Sequence, residues 1–143
     1  MANYCDESAL LEVLTPAELA QLADLDQDGV ADAAALDRAC ANATDLVNVY
    51  ISPRYTVPIT GTVPGVLKTV AVRVAIYYLH LDRRSVTEDI DKQYERDVAF
   101  LRDVGAGKAS LGDPAKAPEG DAAPGAKMQA DDRDFTRTKM QGW

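Results

Sequence analysis

Apolar positions along the chain recur at helical rather than strand spacing. A short helix is predicted over Glu7 to Val13. "TPAE" at Thr15 to Glu18 then has the form of a capping box, with Pro16 suited to the first helical position. Leu19, Leu22 and Leu25 give the helix that follows a short apolar stripe. The next helix is predicted from about Asp32 to about Tyr50, its apolar line being Leu36, Cys40, Ala43, Val47 and Tyr50. Ser52-Pro53 ends it. "SPRYTVPITGTVPG" carries too many prolines and glycines for a helix, and its "RYTVPIT" portion suits an extended segment. Pro64 opens a helix over Gly65 to about Arg84, with Val66, Leu67, Val70, Ala71, Val74, Ala75, Tyr78 and Leu81 as a broad apolar face. A last helix starts near Ser85 or Thr87, carries Ile90, Tyr94, Val98 and Leu101 on one side, and stops at Gly105 and Gly107.

These elements predict an all-α fold: a small bundle of four main helices, with an extended loop between the second and third. Residues 1–112 form the helical domain. Residues 113–130, "DPAKAPEGDAAPGAKMQA", lack any core-forming pattern and read as a flexible or extended linker. Residues 131–143, "DDRDFTRTKMQGW", change character. Phe135, Met140 and Trp143 cannot build a core of their own, so they are candidate docking anchors together with Arg137. The alternation in "DFTRTKM" also suits a short strand added to another sheet.

Composition narrows the function. The chain has 143 residues and a net charge of −8, which argues against nonspecific nucleic-acid binding over the whole surface. The charge is uneven: Met1 to Tyr50 holds ten acids and one base, whereas Ile51 to Gly112 holds nine bases and seven acids. Two cysteines outside any CxxC pair and a single distant histidine make zinc improbable. With no basic leader and no apolar run of bilayer length, the expectation is a soluble protein with free thiols, made in a reducing cytoplasm.

"DLDQDGVAD" at Asp24 to Asp32 raises calcium. Asp24, Asp26 and Asp28 take the first, third and fifth places of a helix–loop–helix calcium loop, with Gly29 sixth and Asp32 ninth. The twelfth place, which needs a bidentate carboxylate, is Ala35. The competing reading is a turn in which Asp28-Gly29 reverses the chain and Asp32 caps the next helix; the missing ligand favours it, and no metal or cofactor is expected. "GAGKAS" at Gly105 to Ser110 lacks the spacing of a phosphate loop and follows a helix rather than a strand. Arg83, Arg84, Lys92, Arg96 and Arg102 are interleaved with acids, as on a solvated face. His80, inside an apolar helix, reads as a core or interface polar group. No catalytic set is found, and the chain is not expected to be an enzyme.

Taken together, "DLDQDGVADAAALDRACANATDLVNVYISPRYTVPI", "VPGVLKTVAVRVAIYYLH" and "VTEDIDKQYERDVAFLRDVGAGKASLG" resemble, in that order, a family of small Mu-like phage and prophage neck proteins. The most specific pieces are "YISPRYTVP" at Tyr50 to Pro58 and "LRDVGAGKASLG" at Leu101 to Gly112. In pattern the family is similar to the head–tail connectors, or adaptors, of long-tailed phages. The resemblance implies a virion protein at the neck between head and tail, assembled in the host cytoplasm. It further implies a ring, commonly of twelve copies, beneath the portal protein. The other expected partners are neighbouring copies of the chain and a tail-proximal neck or tail-terminator protein. DNA would pass through the channel without sequence-specific binding, and no membrane is involved. Asp6, Glu7, Glu12, Tyr50, Arg54 and Tyr55 are candidates for the lumen or for ring contacts, Tyr50, Arg54 and Tyr55 also suiting a lock on the following loop. Two other roles remain open: a calcium-dependent interaction module, and an assembly chaperone absent from the particle.

Overall fold

The computed structural model describes residues 3–112, which fold into five helices with no strand among them: α1 (Glu7–Leu11), α2 (Pro16–Ala23), α3 (Ala33–Ile51), α4 (Gly65–Asp82) and α5 (Glu88–Gly105). The expected linker over 113–130 and the expected docking peptide over 131–143, with the short strand predicted in it, lie outside the described residues.

Local chemistry sets the helix starts. The Asp6 side chain accepts the Ala9 amide at α1. Thr15 and Glu18 form the reciprocal box at α2 with Pro16 in the first turn. Thr87, not Ser85, caps α5 through the Ile90 amide, and Glu88, Asp89 and Asp91 sit where the helix dipole favours acids. Ser85 instead pairs its hydroxyl with half-buried His80, 3.2 Å away.

α3, α4 and α5 make the bundle, the most extensive interface being α3 against α4. Small residues allow the close approach: Ala35, Ala39 and Ala43 on α3, Ala71 and Ala75 on α4, all buried. Leu36, Cys40, Val47 and Ile51 meet Leu67, Val70, Val74 and Leu79 in the core, to which α5 adds Leu101 and Val104. Each fully buried leucine contributes about 1.5–3 kcal/mol. α1 and α2 lie against α4.

Three apolar expectations fail at helix ends. Leu25 is 55% exposed because α2 has already ended at Ala23, and Val66 and Leu81, at the two ends of α4, are nearly half exposed. On α5 the buried line is Asp97, Leu101 and Val104, while Ile90, Tyr94 and Val98 are only half-buried. Tyr94 stacks on Tyr77 with ring centroids 3.9 Å apart.

Asp97, only 4% exposed, accepts from Arg73 at 3.3 Å and from Gln93 at 3.2 Å through Oδ1, and its Oδ2 has no partner. Desolvation raises its pKa against the opposing pull of Arg73 and Gln93. A carboxyl raised on folding stabilises most below its unfolded pKa, and that contribution is lost as pH rises through the folded value. Asp97→Asn keeps the acceptor and removes the buried charge. It is expected to raise Tm at neutral pH and to flatten the decline of Tm above the ordinary carboxylate range. Arg73→Ala, which strips a partner, is expected to cost about 1–3 kcal/mol. Thermal melts between pH 4 and 8 would check both.

Candidate functional site

Two sites flagged by the sequence sit at opposite ends of α3, about 28 Å apart for a helix of 19 residues.

At the start of α3 is the aspartate loop. Asp24 gathers the chain: one carboxylate oxygen accepts the Gln27 and Asp28 amides at 2.6 and 3.2 Å, and the other accepts Gly29 at 2.8 Å. Asp26 and Asp28 accept the amides of Asp28 and Val30 in the same way. Gly29 has φ +87°, a left-handed turn that suits glycine. The carboxylates of Asp24, Asp26 and Asp28 converge to within 4.8 Å of one another. Asp32 does not join them. It is the N-cap residue of α3 by position, yet its side chain makes no capping bond and accepts the Leu25 amide at 2.7 Å. The expected cap is thus a latch that closes the loop, because seven residues of tight turn bring Leu25 back within reach. Ala35, at the place of the closing ligand, is 3% exposed and packed in the core, so no carboxylate can be supplied there.

The electrostatics of the loop pull in two directions. Desolvation opposes ionisation of Asp24, but the amides of Gly29, Gln27 and Asp28 outweigh it and hold its pKa below the ordinary value. Asp26 gains the Asp28 amide, yet desolvation and the charges of Asp28 and Asp32 raise it. Backbone amides hold the carboxylates of the loop. Asp24→Ala is therefore expected to lower Tm at neutral pH. Because the carboxyl of Asp24 is depressed on folding, the difference from wild type should vanish as pH falls through its folded pKa. Calorimetry with calcium chloride is expected to show no tight stoichiometric uptake.

The carbonyls left free at the end of α2 find a cation of the protein itself: Arg83 donates to the Leu22 carbonyl at 3.2 Å and to that of Asp24. This is the role of one arginine read from sequence as part of a solvated face.

At the other end of α3 the two most distinctive stretches of the sequence pack on one another. Gly105 lies so close to α3 that a Cβ there would overlap the Tyr50 carbonyl oxygen. Gly107, at φ +80°, turns the chain out of α5 beneath Arg54, whose guanidinium carbon would be 2.8 Å from a Cβ at 107. The Tyr55 hydroxyl then accepts the Leu111 amide at 3.1 Å. Tyr50 is half-buried, Arg54 exposed and Tyr55 only 4% exposed. Tyr55 is therefore spent inside the subunit and is not available as a ring contact. The result is a clasp that holds the chain from Gly105 to Leu111 against the end of α3.

Sequence reading missed Tyr4. Its amide donates to Thr44 Oγ1 at 2.9 Å, and its hydroxyl donates to Asn48 and accepts the Ile59 amide at 2.9 Å. One buried side chain thus ties the N-terminal segment, α3 and the following loop. A tyrosine in a polar N-terminal stretch has no periodicity to reveal it. Of the acidic candidates, Asp6, Glu7 and Glu12 are exposed about α1, Asp6 as its cap and Glu12 at its end.

With both ends described, the comparison with known proteins decides the kinship. The sequence pattern of the family described as Bacteriophage Mu, Gp36 matches residues 4–130. The chain belongs to the Mu Gp36 family. Its relatives include the Mu-like prophage FluMu protein gp36 of Haemophilus influenzae, 31% identical over 112 residues, spanning 78% of this chain and 77% of that one. Gene product J of Escherichia phage Mu is 33% identical over 119 residues, covering 81% of this chain and 80% of its own. Both lie in phage or prophage, so the Gp36-family chain is a phage protein. Among its described residues no helix is long and apolar enough to cross a membrane.

Proposed function

We propose that this Gp36-family protein is a head–tail adaptor: a structural virion component that forms a ring under the portal protein and joins the DNA-filled capsid to the tail. The observation that carries the reading is the clasp. Gly105, Gly107, Tyr55 and Leu111 fix the place where the described chain ends against α3, and 31 residues follow Gly112 in the sequence. A helical bundle whose described part ends at such a fixed point, with the docking candidates further along the sequence, suits a subunit that contacts its neighbours by its sides and a different protein by its C-terminal residues. Membership of a phage family supports the same reading.

In this account assembly proceeds by burial and arm docking, with no catalytic turnover. Val49, 70% exposed, with Val66 and Leu81 offers apolar surface for neighbouring copies, and a ring requires such head-to-tail contacts to close. The exposed acids about α1 and the aspartate loop suit a channel that repels passing duplex and avoids trapping it. The portal, a tail-proximal neck or tail-terminator protein and other copies of the chain are the proposed partners. The calcium-module reading is weaker because Ala35 supplies no closing ligand. The chaperone reading separates by location: mass spectrometry of purified particles should find the protein at a fixed, ring-like number of copies per virion. Its absence from particles would favour a chaperone.

A further inference from the structure

Cys5 and Cys40 belong to neither the clasp nor the aspartate loop. Both are free and buried in the same apolar cluster, at 4% and 2% exposure. Their placement follows from the bonds around them. The Tyr4 amide is held on Thr44 Oγ1, and Thr44 Oγ1 donates to the Cys40 carbonyl one helical turn earlier at 2.9 Å. The Tyr4 ring reaches the other way, toward Asn48 and Ile59. The N-terminal segment therefore runs along α3 toward the start of that helix. It sets Cys5 over the turn of α3 that carries Cys40, and the two side chains share one buried cluster. Cys5 also lines a groove of about 570 Å³ between α1 and α4, with Lys68, Thr69 and Arg73 on its far side. A water-sized oxidant can thus approach Cys5 without the bundle opening, while Cys40 lies in the core.

We propose that Cys5 and Cys40 are a latent disulfide, closed within one chain by a peroxide-class oxidant and fastening the N-terminal segment to α3. Cys5, which lines the groove, is the thiol the oxidant meets first. Its sulfur, as thiolate, attacks one peroxide oxygen and hydroxide leaves, giving a sulfenic acid at Cys5; the hydroxide takes up the proton Cys5 released. The Cys40 sulfur then displaces the sulfenic hydroxyl, which departs as water with the Cys40 proton. Two thiols are oxidised to one S–S bond and one peroxide is reduced to two waters. Such a bond would stay open in a reducing cytosol and close in an oxidising medium. The proposal stands on the core of the subunit and is independent of the adaptor reading.

The test uses the purified full-length chain, reduced and then exposed to hydrogen peroxide at neutral pH. Denaturing mass spectrometry should show a monomer lighter by two hydrogens, with a peptide linking residues 5 and 40. Closing a loop of roughly 35 residues should raise Tm by roughly 5–15 °C, reversibly with dithiothreitol. Cys5→Ala and Cys40→Ser should each abolish both changes; Cys5→Ser serves as a second variant should the alanine disturb packing. The proposal is overturned if the thiols stay reduced at peroxide levels that oxidise an exposed cysteine peptide, if they climb separately to sulfinic acids, or if the bond forms only between chains.

Discussion

Gly105→Ala is expected to destabilise the bundle by up to about 2 kcal/mol net, although alanine is the better helix former. Helix propensity alone would favour the substitution by about 1 kcal/mol. Against it stands the added methyl, which meets the carbonyl oxygen of Tyr50 and not the yielding end of a side chain. α3 and α5 must separate to accommodate it, and overpacking of that kind costs about 1–3 kcal/mol, occasionally more. Gly105→Val, with two further carbons, should prevent the clasp from forming. Gly65→Ala is the internal control. Nothing lies within 4 Å of a Cβ at 65, at the start of α4, so that change should be neutral or stabilising by up to about 1 kcal/mol. Urea unfolding of the three variants measures the contrast. Equal stability at 105 and 65 would mean that the close approach of α3 and α5 is not what glycine serves.

Deleting residues 131–143 is expected to leave the helical domain folded and to abolish joining of heads to tails. The two halves of the expectation rest on different observations. Among the described residues the core cluster runs from Tyr4 to Leu111 and the clasp makes its last hydrogen bond at Leu111, and this set of contacts is expected to suffice for folding. Phe135, Met140 and Trp143, with Arg137, concentrate the large apolar groups of the tail in one short stretch, and truncation removes them together. Circular dichroism and a Tm near wild type would show the fold intact. Complementation of a gene-deleted phage with the truncated chain would read joining. Retained joining would refute the anchor role of these residues, whereas a lost fold would show that the tail packs on the bundle of its own subunit.

Much of the helical architecture was legible because it is written locally. The box of Thr15 and Glu18, the cap at Thr87, the stop at Gly105 and the line Leu36, Cys40, Ala43 and Val47 each declare themselves within a few residues. What was hidden depends on residues distant in sequence. Asp97 reads as one more charge on a charged helix, and only the approach of α4 turns it inward toward Arg73. Periodicity placed the buried line of α5 on Ile90, Tyr94, Val98 and Leu101; of these Leu101 is buried, and Asp97, next to Val98, takes an inner place. Leu25, Val66 and Leu81 kept the helical period but stand at helix ends, where they are only partly covered. In the candidate site, the pieces "YISPRYTVP" and "LRDVGAGKASLG" were recognisable as distinctive, but nothing in either says that they meet. Their contact joins Tyr50 to Gly105 across 55 residues. Asp32 looked like a cap because residue type and position fit; the competing amide of Leu25 becomes available only once the loop closes.

The central claim is that this protein joins head to tail, and electron microscopy of lysates from a phage or induced prophage lacking the gene tests it most directly. The account predicts DNA-filled or leaking heads beside free tails, with no joined particles, and restoration of joined particles when the wild-type chain is supplied. Intact particles in normal numbers without the gene would contradict it.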